Sequence, residues 1–118
     1  MPDTLYKAIN VTTGQIIATR VKIAQDFKSR SIGLLNRTSL DEDEALLIKP
    51  CNAIHTFFMK FPIDVVFLDK KARVVKIKHA LKKSRFSASI LRGYMTLEMK
   101  SGKLSKVQVK TGDFVKFE

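Results

Sequence analysis

Short apolar-rich runs bounded by turn residues recur along this chain, the pattern of β-strands, and over 73–79 Val75 and Ile77 alternate with Val74, Lys76 and Lys78 as in a half-buried strand. Residues 5–11 and 15–23 read as strands on either side of Thr12-Thr13-Gly14, predicting an N-terminal hairpin. The pattern changes once. Across residues 24–35, Phe27, Ser31, Leu34 and Leu35 recur at three-and-four spacing with Lys28 and Arg30 turned outward, predicting one short helix that Gly33 brings to its end. The acidic loop Asp41-Glu42-Asp43-Glu44 precedes a short buried strand over 45–48. Pro50 and Pro62 bracket an extended segment over 53–60. Residues 63–68 form a strongly apolar strand, and 73–79 return as its hairpin partner after the Asp69-Lys70-Lys71-Ala72 turn. Residues 81–92 have no period and read as a loop. Strands are expected over 94–100, 107–109 and 114–117, the last two around Thr111-Gly112-Asp113. The expected fold is mainly β, a compact antiparallel sandwich or barrel with one short helix packed against it.

Composition narrows this to one globular domain: 118 residues, 45% hydrophobic, with mean hydropathy near zero at −0.04. No apolar run approaches the roughly 20 residues of a membrane-spanning helix. The N-terminus has no basic stretch leading into an apolar one, so no signal peptide is expected. With a single cysteine, Cys51, this favours the cytoplasm. Charge is more informative. The net charge is +11, and it is uneven: residues 1–50 hold seven bases and six acids, whereas residues 51–118 hold fifteen and five. That asymmetry favours an anionic partner, nucleic acid or an anionic surface. The densest stretch carries Lys70, Lys71, Arg73, Lys76, Lys78, Lys82, Lys83, Arg85 and Arg92, with Phe86 and Tyr94 near enough in sequence to stack on bases. No standard nucleic-acid motif is present.

Candidate chemistry concentrates between Pro50 and Asp69, where Cys51, His55, Met59 and Asp64 sit among apolar residues. Cys51, His55 and Met59 recur every four residues. On a helix they would share a face suited to copper(I) or zinc. In an extended chain they lie ~13 Å apart, beyond one ion's reach, so no metal or other cofactor is expected. Cys51 and His55 as a nucleophilic pair lack an identifiable orienting acid. Asp64 stands in an apolar strand and needs a partner, since burying a polar group alone costs about 1–3 kcal/mol. Two arrangements meet that need. Arg30 and Arg37 of the helix pair with Asp64 and fix helix to sheet, or His55, Asp64 and Glu98 converge on a ligand or a water.

The motifs resemble those of domain-of-unknown-function family 192. They are Arg30-x-x-Gly33-Leu34-x-x-Arg37 at the end of a short helix, Cys51-Asn-Ala-Ile-His55-Thr56-Phe-Phe-Met59, Pro62-Ile-Asp64-Val-Val-Phe67-Leu-Asp69, Val74-Val75, Leu97-Glu98 with Gly102, and Gly112-Asp113. The resemblance implies an all-β fold with one helix and no established activity. Its polar and polarisable members, Arg30, Arg37, His55, Thr56, Met59, Asp64 and Glu98, make up the candidate ligand-binding set. The function expected is a ligand- or partner-binding module for an anionic partner such as nucleic acid. The alternative is a hydrolytic or metal-assisted enzyme built on His55, Asp64 and Glu98.

Overall fold

The computed structural model describes residues 4–118. Strands β1 (Leu5–Asn10) and β2 (Gln15–Ala24) form the expected hairpin. Asn10 shapes its turn, accepting from the Thr12 and Thr13 amides at 3.1 and 3.4 Å, while Gly14 takes φ 78° where a side chain would be strained. Helix α1 follows at Phe27–Ile32, then β3 (Glu44–Ile48), β4 (Ala53–His55), β5 (Ile63–Leu68), β6 (Val74–Leu81), β7 (Phe86–Ala88), β8 (Met95–Lys100), helix α2 (Lys103–Lys106) and β9 (Val115–Phe117). Seven strands make one sheet in the order β6-β5-β8-β3-β2-β1-β9, and β4 and β7 make a separate pair.

Several elements differ from the sequence expectation for identifiable reasons. The helix is half the expected length. Asp26 caps its start by accepting from the Ser29 amide at 2.7 Å, and Gly33 ends it at φ 50°. No residue of α1 is buried, and Phe27 is 80% exposed, so Leu34 and Leu35 reach the core from the turn after the helix rather than from a helical face. Within the expected loop over 81–92, Phe86–Ala88 pairs with β4. The expected strand over 107–109 does not form, and α2 precedes it instead. The sheet is mixed rather than wholly antiparallel, because β2 and β3 run parallel, with Val21 beside Ala45 and Ile23 beside Leu47. It is not closed into a barrel. Its edges touch through a bridge between Arg73 and Phe114, with the Val74 amide donating to the Asp113 carbonyl at 2.8 Å, but no ladder extends from that seam.

Each face of the sheet buries its own core. Val66 and Leu68 of β5, Leu97 and Met99 of β8, Leu47 and Val21 form one, together with Leu104 of α2. Ile63, Val65 and Phe67 form the other with Leu46, Ile48, Leu34, Ile54 and Met59. Strand β5 is therefore buried on both sides, as strands sandwiched between covered faces are. Successive side chains of such a strand point to opposite faces, and this decides where the candidate residues go.

Candidate functional site

Asp64 and Glu98 lie on opposite faces. In the β5–β8 register Asp64 stands beside Met99, while Glu98 stands beside Val65. The expected convergence of His55, Asp64 and Glu98 does not occur, and neither does the expected pairing of Asp64 with Arg30 and Arg37. The Asp64 carboxylate instead accepts three backbone amides, from Ala80 at 2.7 Å, Gly102 at 3.1 Å and Leu104 at 2.9 Å. Gly102 is the N-cap of α2, so the aspartate supplies the cap that glycine cannot, and it also pins the end of β6 where Ala80 adopts φ 47°. Arg37 is held elsewhere, donating to both Glu44 carboxylate oxygens at 3.0 Å. Arg20 clasps Asp41 and Asp43, and Arg20, Arg37 and Glu44 border a groove of about 540 Å³ between α1, β2 and β3. Arg20 and Arg37 are thus both engaged by acids of residues 41–44.

Glu98 has no such partners. It is 5% exposed, and no hydrogen bond reaches its carboxyl among the described residues. Burial pushes its pKa up to about 7. The carboxyl lines a pocket of about 160 Å³ with Arg30, Met59, His55, Cys51 and Gly33. The turn after α1 closes over it: a methyl group on Gly33 would stand 3.9 Å from Glu98 Oε1. Arg30 donates one guanidinium nitrogen, Nη1, to the Pro50 carbonyl at 3.1 Å, yet its Nε is buried without a partner. The pocket therefore gathers Arg30, His55, Met59 and Glu98 from the candidate set and leaves Asp64, Arg37 and Thr56 outside. Cys51, His55 and Met59 do share it, although the Cys51 thiol already donates to the Ala53 carbonyl at 3.2 Å. Among the described residues no three His, Cys, Asp or Glu side chains are arranged to hold a metal ion.

Thr56 is a structural residue. Its buried hydroxyl donates to the Lys82 carbonyl and accepts from the Arg85 amide at 2.8 Å, while its amide donates to the Arg85 carbonyl at 2.8 Å. It thus buttons β4 to the loop carrying Lys82, Lys83 and Arg85. Thr56→Val is expected to cost about 1–2 kcal/mol through the half-buried Arg85 amide left without its acceptor, read as a lower urea midpoint. An unchanged midpoint would show the loop is held by other means.

The basic stretch follows the sheet edge. Residues 70–92 carry nine Lys and Arg and no Asp or Glu, and β6, the core of that stretch, is an edge strand. Lys70, Lys71 and Arg73 sit at its start, with Lys70 5.5 Å from the Tyr94 ring centre and Arg73 6.0 Å from that of Phe114. Arg73 and Arg92 line a groove of about 580 Å³ beside Thr111 and Gly112. Lys76 is occupied, donating to the Ala88 carbonyl at 2.7 Å over the Phe67 ring. Lys78, Lys82, Lys83 and Arg85 are exposed at the far end. There β7 sets Phe86, 64% exposed, opposite His55, whose ring centre lies 5.5 Å from that of Phe57. Phe58 is 86% exposed at φ 66°. Sequence reasoning passed over Phe57 and Phe58. The available signal was two adjacent aromatics between Pro50 and Pro62, too short a segment to bury both.

Comparison with known proteins agrees with this architecture. The family model described as Uncharacterized ACR, COG1430 (DUF192) matches residues 8–117. A UPF0127 protein of Thermococcus kodakarensis is 32% identical over 111 residues, covering 91% of this chain and 70% of its own length. One of Thermococcus sibiricus is 40% identical over 76 residues, 61% of this chain and 49% of its own, so the match spans about half of that relative. Two crystal structures share the fold at 18% identity. A protein of unknown function from Novosphingobium aromaticivorans DSM 12444 gives a TM-score of 0.81 over 97% of this chain and 84% of its own. A chain from Sinorhizobium meliloti 1021, described provisionally as a transcription regulator, gives 0.85 over 99% and 96%. Such identity carries fold and nothing further. Matched over nearly its whole length, with Arg30, Gly33, His55, Met59 and Glu98 brought to one pocket, this chain belongs to domain-of-unknown-function family 192, the UPF0127 proteins.

Proposed function

We propose that this protein is a binding module for single-stranded nucleic acid, which lies along the β6 edge. The observation that carries the reading is the acid-free run over residues 70–92, whose exposed cations follow one sheet edge and end beside the exposed rings of Phe57, Phe58 and Phe86. Cations track a phosphate backbone and open aromatic faces stack on unpaired bases, a combination that serves single strands better than duplexes. β6 spans about 25 Å at the usual strand rise, long enough for several phosphates to meet side chains together. Hydrolysis at His55, Asp64 and Glu98 finds no support in the geometry, because Asp64 faces the other core and its oxygens are taken.

Fluorescence anisotropy with labelled oligonucleotides tests the reading. Micromolar binding is expected at 50 mM salt, with single strands preferred over duplex. About five neutralised phosphates would weaken binding roughly 100-fold between 50 and 200 mM salt. Reversing charge at Lys82, Lys83 and Arg85 together should abolish it. Absence of binding at 10 μM protein (about tenfold above the expected micromolar affinity) and 50 mM salt removes the proposal.

A further inference from the structure

A second site, separate from the nucleic-acid edge, lies beneath α1. We propose that the Glu98 pocket binds a small α-amino acid with an apolar side chain, its ammonium group on Glu98 and its carboxylate on Arg30. Two unpaired groups of opposite sign border one small pocket: the carboxyl of Glu98, a residue 5% exposed, which has no hydrogen-bond partner among the described residues, and Arg30 Nε, which is buried and likewise unpaired. Buried polar groups are nearly always paired, so two orphans at one pocket call for an explanation. They do not satisfy each other, since no ion pair joins Arg30 to Glu98 among the described residues.

A lone amine would satisfy Glu98 and leave Arg30 Nε orphaned. A lone carboxylate would do the reverse and set its charge near that of Glu98. A zwitterion answers both with charge-assisted hydrogen bonds, the stronger kind. Beyond Ser31, Cys51 and His55 the rest of the lining is apolar, and Leu34, Ile48, Ile54 and Met59 give a small aliphatic side chain of the ligand a surface to pack on. Size limits the class further. A cavity of about 150 Å³ accommodates benzene, and this one, about 160 Å³, suits a free amino acid better than a peptide.

Isothermal titration calorimetry on the full chain at pH 8 tests this with three probes: L-valine, isobutylamine and isovalerate, the last two being valine without its carboxylate and without its ammonium. Valine is expected to bind at least tenfold more tightly than either. Glu98→Gln should weaken valine at least tenfold without weakening isovalerate, and Arg30→Gln should weaken valine without weakening isobutylamine. Thermal melting of both variants verifies that they fold.

Lowering the pH from 8 to 6 should weaken valine about tenfold as Glu98 gains its proton. The groups facing Glu98 from adjoining elements are Arg30 of α1, His55 of β4 and Cys51 before it, whereas β3 and β5 present the apolar Leu46 and Val65. The pH effect should persist in His55→Ala, which removes the imidazole bordering the pocket and keeps Glu98. Three results overturn the proposal: no heat with 10 mM valine, either truncated probe binding as well as valine, or undiminished valine binding by Glu98→Gln. None of these depends on oligonucleotide binding, which the anisotropy experiment reads separately.

Discussion

Replacing Asp64 with alanine is expected to lower the melting temperature by about 10–20 °C. Three amides, that of Leu104 buried and those of Ala80 and Gly102 half-buried, would lose their common acceptor at once. A hydrogen bond to a charged group contributes about 1.5–3 kcal/mol, and losses at one shared acceptor do not add fully, so a total near 3–4 kcal/mol is expected. At this chain length each kcal/mol moves the midpoint by roughly 3–6 °C. Asp64→Asn should be nearly as damaging, because an amide nitrogen would turn two hydrogens toward amides that themselves donate. Differential scanning calorimetry of the three proteins decides the matter. A variant melting within about 2 °C of the parent would mean that α2 and the end of β6 hold without the carboxylate, against the reading of Asp64 as a cap.

The opposite sign is expected at Glu98. Its pKa rises from the usual 4.5 to about 7 because burial penalises the charge. The folded protein therefore holds this proton more tightly than the unfolded chain does. The stability linked to it is whole below pH 4.5 and is lost as pH climbs through 7. At 1.36 kcal/mol per pH unit, the loss by pH 8 is on the order of 3 kcal/mol. Glu98→Gln removes the titration, so it should match the parent at pH 4 and exceed it by roughly 2–3 kcal/mol at pH 8 in urea unfolding. Equal stability of the two proteins at both pH values would show that water or a rearranged Arg30 already compensates the charge.

These two carboxylates also mark where the sequence could be read and where it could not. Apolar runs and turn residues mark the hairpin around Gly14 and the strands over 63–68 and 94–100, because those signals are local. The same apolar surroundings made Asp64 and Glu98 look alike. Their difference is a matter of register: a one-residue change of pairing exchanges faces, and pairing is set by distant residues. Asp64 looked like an ion-pair partner because arginines were the visible complements. Its actual partners are main-chain amides, which every residue but proline has, so no residue type announces them. Helix α1 was overextended because Leu34 and Leu35 continue a helical period that Gly33 has already interrupted. Residues 86–88 looked irregular because that strand has a single short partner and little to alternate against.

One backbone feature has a chemical outcome. If β2 and β3 had met as a hairpin, the chain would have turned back at the sheet's end. Running side by side in the same direction, they oblige residues 25–43 to cross from one end of the sheet to the other, and α1 and the Gly33 turn travel with that crossover. The segment roofs Glu98 and leaves that residue 5% exposed at the edge of its pocket. The burial of that acid is thus a product of connectivity. A rewired chain with the same strands and the same glutamate would have an ordinary, hydrated acid in its place.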